Sequence, residues 1–285
     1  MQTGERVELL VLGKGFVGQY VTQYCREMNI SCAATTRDGR DGTIQWCLPE
    51  SPSPSSSLSS AGGVDAGLPQ ARAVLLTFPI RQVETMDWLV TAYNSRCDSN
   101  VRWIYLGSTR AFTRVPSTRR TAPNFEMDPQ RLASEERMMK IHNGVVLKEP
   151  KHWPRFYKTT ESMLCKIRDP TLHLIHGMDV ARAVVDCLLT RSEGGQRWLL
   201  SDGKVYDMLR IIARYPTDQT RQLLASAAEA DPDAVLGAFG TLDIDWILTY
   251  GSDPTARQAK LTRRIDPDDF FLEFGFTPAH YYNYT

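Results

Sequence analysis

The chain has 285 residues, and its 33 Lys plus Arg match its 33 Asp plus Glu, so the formal net charge is zero. That balance excludes the uniformly basic surface of a general nucleic-acid or anionic-membrane binder. A composition of 42% hydrophobic and 23% charged residues is ordinary for a globular protein.

No apolar run approaches the roughly 20 residues of a membrane helix. The six cysteines include no C-x-x-C pair, so neither a zinc site nor a redox motif is expected. The start, Met1-Gln2-Thr3-Gly4-Glu5-Arg6, has no signal-peptide pattern. The expectation is a cytoplasmic chain with a small-molecule substrate, no metal, no nucleic acid and no membrane partner; a homodimer is compatible with it.

Residues 6–13 read as a buried strand. Residues 16–28 then place Val17, Val21, Tyr24, Cys25 and Met28 on one helical face. Residues 31–36 form a second predicted strand and 43–47 a weaker third. Residues 49–70 are rich in Ser, Pro and Gly and read as a flexible loop where a crossover helix would be expected. A continuous apolar run at 73–78 predicts a strand covered on both faces. Val83, Met86, Leu89, Val90 and Tyr93 mark a helix, and 101–106 a further strand. Beyond these come a helix at 128–141 and strands at 144–147 and 172–175. Asp179 is placed as an N-cap before Val180, Ala183, Val184, Cys187 and Leu188. A short strand at 197–200, a helix at 218–230, an apolar run at 246–248 of either type and an aromatic tail complete the chain. Strands alternating with helices imply right-handed βαβ units and a parallel α/β sheet.

One motif carries chemistry. Gly13-Lys14-Gly15-Phe16-Val17-Gly18 is G-x-G-x-x-G, set between a predicted strand and a predicted helix. In that context Gly13 permits a tight turn, Gly15 lets backbone approach a pyrophosphate, and Gly18 lets helix and sheet pack closely. The N–H groups of the first helical turn then face the phosphates. The cofactor follows from the end of the second strand, Thr35-Thr36-Arg37-Asp38. An acidic residue there would accept the ribose 2′-OH of NAD. Arg37, with Arg40 behind it, instead offers a guanidinium to a 2′-phosphate, which favours NADP over NAD. Asp38 argues the other way.

These residues, with Leu75-Leu76-Thr77-Phe78-Pro79, Tyr105-Leu106-Gly107-Ser108-Thr109, residues 174–181 and residues 197–203, resemble an atypical extended short-chain dehydrogenase/reductase of the NAD-dependent epimerase/dehydratase type. The resemblance spans residues 5–205 and is strongest in the first 110. It implies a Rossmann-type doubly wound parallel sheet over 1–147, and a small C-terminal substrate-binding part over 148–285 that returns a strand and helix (172–190) to the sheet. It implies that Gly13, Gly15, Phe16, Val17, Gly18, Thr36, Arg37, Phe78 and Pro79 bind the cofactor, and that Ser108 and Thr109 bind the reacting oxygen.

The sequence also departs from the family. Active members carry Tyr-x-x-x-Lys on the helix after the Ser/Thr strand; here Arg131-Leu132-Ala133-Ser134-Glu135 stands in that place, and the chain has no Tyr-x-x-x-Lys. Arginine keeps its proton and is a poor general acid. The turn after the sixth strand is altered as well, running Gly144 to Pro154 without the family's Gly-x-Tyr-Gly-Pro.

The reading is therefore an NADP-binding oxidoreductase-like enzyme with an unidentified proton donor. His152 and Tyr157 in the altered loop are the candidates, and Arg110 joins them as a substrate-binding residue. Two alternatives stay open: a non-redox lyase, isomerase or cyclase on the same scaffold, and a non-catalytic sensor of the cofactor ratio. Arg114, Arg119 and Arg120 could hold an anionic substrate. His173 and His176, three apart on a strand, would point to opposite faces and not share a metal. Phe270, Phe271, Phe274, Phe276, Tyr281 and Tyr282 are expected to dock the C-terminal segment on the core.

Overall fold

The structure, a computed structural model, describes residues 6–49, 67–97, 100–149, 159–191, 193–251 and 261–282. Most of the Ser/Pro/Gly segment expected as a loop, and both His152 and Tyr157, lie outside the described residues. Among the described residues nine strands follow in chain order: β1 (Val7–Leu12), β2 (Cys32–Thr36), β3 (Ile44–Gln45), β4 (Ala71–Leu76), β5 (Arg102–Ser108), β6 (Val145–Glu149), β7 (Thr171–Leu172), β8 (Arg197–Leu199) and β9 (Tyr206–Asp207).

Seven of them form one sheet in the order β3-β2-β1-β4-β5-β6-β8, with every pairing parallel. This is the doubly wound Rossmann arrangement, with the order reversing between β1 and β4. The register sets Leu10 opposite Ala33 on one side and Val74 on the other, and Leu147 opposite both Leu106 and Trp198.

The sheet is covered on both faces, and the period of two sorts its residues. Leu9, Val11, Ala73, Leu75, Ile104, Leu106 and Leu147 face one layer of helices, with Val17, Val21 and Cys25 of α1 (Phe16–Glu27) packed among them. Leu10, Leu12, Val74, Leu76, Trp103 and Tyr105 face the other. That layer holds Met86, Leu89 and Val90 of α2 (Val83–Asn94) and Met138 of α3 (Pro129–Lys140). Continuous apolar strands such as residues 73–76 arise because neither face meets water.

The later chain departs from expectation in three places. β7 does not join the large sheet. It pairs antiparallel with β9 in a separate two-stranded sheet, Thr171 opposite Asp207. The strand returned to the sheet is β8, which docks on β6. The expected returning helix is present as α5 (Gly177–Arg182), continuing through a π-helical stretch, Ala183–Leu188, into a last turn, α6 (Leu189–Arg191), and packs on α1. Its N-cap is His176, whose Nδ1 accepts from Met178 N–H at 3.2 Å, and not Asp179. Asp179 lies one turn in, fully buried. Its carboxylate holds Arg182 at 2.8 Å and the backbone N–H groups of Ala279 and His280 at 3.0 and 2.9 Å.

The remaining helices, α4 (Thr160–Arg168), α7 (Met208–Arg214), α8 (Asp218–Ala230), α9 (Pro232–Phe239) and α10 (Ile244–Tyr250), share a second apolar core around Met163, Leu209, Ile212, Leu224 and Ile247. The ambiguous run at 246–248 is thus helical, opened by the Asp243 carboxylate on Trp246 N–H. The aromatic segment forms α11 (Asp268–Phe274), with Phe270 and Phe274 edge-on to Trp198 of β8.

Candidate functional site

Because the strands are parallel, β1, β2, β4 and β5 end on one edge of the sheet. Open α/β sheets bind ligands outside that edge. Each of the three motif glycines meets a different neighbourhood there. Gly13 leaves β1 at φ +97°, and a Cβ on it would lie 2.6 Å from Thr77 Oγ1 and 2.9 Å from Phe78. Gly18 sits against the turn it follows: a Cβ would lie 2.5 Å from the Gly13 carbonyl oxygen and 3.3 Å from Val11. At Gly15 a Cβ would meet nothing within 4 Å. The backbone there is extended, and Gly15 N-caps α1 without any side-chain cap. Two glycines are therefore required by packing within the chain and the third is not. Its missing Cβ leaves clear the approach to the first N–H groups of a twelve-residue helix.

The loop is braced by residues that no motif singles out. Gly13 N–H donates to Thr35 Oγ1 at 3.0 Å and Lys14 N–H to Thr35 O at 2.7 Å. Thr77 Oγ1 donates to Gly13 O at 2.6 Å. In the sequence Thr35 and Thr77 stand at the ends of predicted strands and within segments that carry the resemblance, which gives neither of them a role.

Phe16 is 45% exposed and edge-on to Tyr20, and Val17 is buried. Phe78 is half-buried against Trp46, and Pro79 is exposed. Thr36 is buried, with its hydroxyl 2.6 Å from that of Thr43. Arg37 is exposed and makes no ion pair among the described residues. Asp38 lies 3.4 Å from Arg40, and its carboxyl is held below the usual range first by the Thr36 hydroxyl.

Further along the same edge β5 ends at Ser108, whose Oγ accepts from Arg110 N–H at 3.2 Å across a 3₁₀ turn (Thr109–Ala111). A cavity of about 640 Å³ opens there. Ser108, Thr109 and Arg110 line it on the sheet side, and Lys166, His173 and Arg263 on the side of the C-terminal part. Five successive residues, 262–266, stitch the two sides together. Thr262 N–H donates to Thr171 Oγ1 at 2.9 Å, and Arg263 reaches the carbonyls of Phe112, at 2.6 Å, and Thr109. Ser117 N–H donates to Arg264 O at 2.8 Å, Ile265 N–H to His173 Nε2 at 3.0 Å, and Asp266 N–H to Ser117 O at 2.9 Å. Burial and the nearby Arg263 pull His173 down to about 4, so its ring is neutral at neutral pH. Local sequence patterning gives no sign of His173 or Arg263, because their partners lie 92 and about 150 residues away.

Arg131 and Glu135 of α3 form a pair of their own. Arg131 Nε is 3.2 Å from Glu135 Oε1, and its Nη2 donates to Leu106 O in β5 at 3.1 Å. Glu135 is 0% exposed. The pair braces α3 on the sheet, where the resemblance would put a tyrosine and a lysine. Of the basic cluster, Arg110 reaches the cavity. Arg119 lies over the Trp198 ring at 4.1 Å and 3.7 Å from Asp269. Arg119 and Arg120 line a different, smaller cavity of about 210 Å³ beside Arg197. Among the described residues no group of three His, Cys, Asp or Glu is placed to hold a metal, and no helix is long and apolar enough to cross a membrane.

No protein-family model and no curated protein matches the sequence. Solved structures match over nearly the whole chain. RMD from Pseudomonas aeruginosa, complexed with NADPH, is 16% identical, with 96% of this chain and 93% of that one covered at a TM-score of 0.57. The UDP-N-acetylglucosamine 4-epimerase of Bacillus cereus is 13% identical over 98% and 95%, also at 0.57. A short-chain dehydrogenase/reductase superfamily protein from Agrobacterium tumefaciens with bound NAD is 11% identical over 97% and 93%, at 0.55. At these identities the likeness establishes the fold.

Proposed function

We propose that this protein is an NADP-binding oxidoreductase of the short-chain dehydrogenase/reductase type acting on a small organic molecule. The observation that carries the reading is the glycine cradle. Gly13 and Gly18 are required by the packing of the turn, whereas Gly15 keeps clear an approach that only a ligand would use. The neighbours that hold NADPH and NAD support a nicotinamide dinucleotide. Arg37, exposed just after β2 and without an ion pair among the described residues, supports the phosphorylated form.

The residues divide the work. The α1 N-terminus and Gly15 would hold the pyrophosphate, Thr36 and Arg37 the adenosine ribose, and Phe78 and Pro79 would border the dinucleotide after β4. When bound, the nicotinamide supplies or accepts a hydride. Ser108 donates a hydrogen bond to the reacting oxygen in the cavity beside it, and Arg110 faces the same space. Calorimetric titration with NADPH and NADH tests the cofactor. Tight binding of NADPH with weaker NADH is expected, and no binding of either overturns the reading.

The buried Arg131–Glu135 pair favours a second reading, a lyase, isomerase or cyclase that needs no proton relay from α3. Conversion of a substrate without change in nicotinamide absorbance would decide for it.

A further inference from the structure

His173 is the buried titratable group that the reading above leaves without a role. It follows β7, is 4% exposed and lines the Ser108 cavity. Its Nε2 accepts the Ile265 N–H at 3.0 Å, a bond buried on both sides. An imidazole that accepts at Nε2 in its neutral form carries its one proton on Nδ1. No described residue accepts from that Nδ1. The fully buried side-chain polar atoms without a partner are Trp46 Nε1, Ser134 Oγ, Arg197 Nε, Trp198 Nε1 and Tyr282 Oη among the described residues. His173 Nδ1 is not among those enclosed atoms, and the space that His173 lines is the cavity.

We propose that His173 is the fixed hydrogen-bond donor of this cavity, presenting Nδ1–H to the carbonyl oxygen of a substrate whose anionic group lies on Arg110. The inference rests on the reading of the Ser108 cavity as the substrate site. Three features support it. The strap 262–266 that fixes the ring through the Ile265 N–H also pins the Thr109 carbonyl through the Arg263 guanidinium, so His173 and the Ser108 turn are held by one segment of the chain. At the α3 position where the resemblance expects a tyrosine, Arg131 is engaged by Leu106 O and Glu135. Arg110, exposed at the cavity, has no ion-pair partner among the described residues. A neutral imidazole polarises a carbonyl and keeps its own proton, so the alkoxide that hydride addition leaves takes its proton from water. The donor is also neutral at neutral pH, because burial and then the nearby Arg263 pull the ring down to about 4.

The test uses the full chain labelled with 15N, the His173 ring signals being assigned by their loss in His173→Gln. That variant keeps an acceptor for Ile265 N–H and has no donor at the Nδ1 position. Two probes are titrated: pyruvate, with a carbonyl and a carboxylate, and propionate, with the carboxylate alone. The expected result is an Nδ1–H tautomer whose resonance moves with pyruvate, and pyruvate binding about fivefold to tenfold tighter than propionate, as one hydrogen bond provides. His173→Gln should abolish that difference and leave NADPH affinity unchanged. An Nε2–H tautomer, a ring unmoved by pyruvate, or a preference that survives in His173→Gln overturns the proposal. Should His173→Gln fail to fold, the tautomer and the two titrations on the wild type decide it. Absence of NADPH binding alongside an intact pyruvate response overturns the cofactor reading alone.

Discussion

The same substitution at two glycines three residues apart separates what the loop does for the fold from what it does for a ligand. In Gly18→Val the new Cβ would lie 2.5 Å from the Gly13 carbonyl oxygen. That oxygen already accepts from Thr77 at 2.6 Å and from Gly15 N–H at 2.8 Å, so it has nowhere to move. Overpacking of this kind costs about 1–3 kcal/mol, and valine recovers only a few tenths through better helix propensity. In Gly15→Val the Cβ meets nothing within 4 Å and the backbone is already extended. The stability cost there is about 1 kcal/mol or less, that of a poor N-cap. The isopropyl group would nevertheless stand where the proposed function puts the pyrophosphate. NADPH affinity is expected to fall at least about 100-fold, or roughly 3 kcal/mol. Urea denaturation and calorimetric titration of both variants provide the comparison. The reasoning fails if Gly15→Val binds NADPH as the wild type does, or if it loses as much stability as Gly18→Val.

Other outcomes follow from the same geometry. Arg37→Ala should cost NADPH about 1.5–3 kcal/mol of binding, leave NADH little changed and remove the salt sensitivity of the difference, all read by titration at two ionic strengths. Ser108→Ala should lower kcat for carbonyl reduction by about 2.7–4 kcal/mol of barrier while NADPH affinity stays constant; an unchanged kcat would remove Ser108 from the chemistry. The folded pKa of His173 is depressed from 6.5 to about 4, so the folded state binds fewer protons between those values. The stability contributed by the neutral ring is therefore complete above pH 6.5 and is lost as pH falls towards 4. The loss amounts to roughly 3 kcal/mol, and urea midpoints of wild type and His173→Gln across that window should converge at the acid end.

The sheet was legible because its information is local. Residues 73–76 are apolar without interruption, which is what a strand buried on both faces requires, and the glycine motif lies between elements of clear period. The later chain was harder. β7 and β8 span two and three residues, too short for alternation to show which sheet each joins. Leu172 and Leu174 are apolar because they face the second helical core and not the large sheet. Asp179 has the residue type of an N-cap, yet its carboxylate serves backbone N–H groups about 100 residues away. For the site, the division is similar. Gly13, Gly15 and Gly18 declare themselves by spacing, whereas His173 owes its environment to Ile265 and Arg263, and no local pattern encodes a contact at that separation.

The strap at residues 262–266 also sets an order of assembly. The contacts that shape the glycine turn all fall between residues 7 and 78, so they are available early as the chain is made from its N-terminus. The cavity wall that holds His173 and pins Thr109 waits for residues more than 180 positions later. A chain interrupted before the strap would keep the glycine turn and lack one wall of the Ser108 cavity. Until residues 262–266 arrive, the Thr109 and Phe112 carbonyls and the His173 ring lack the partners that join the two walls of the cavity.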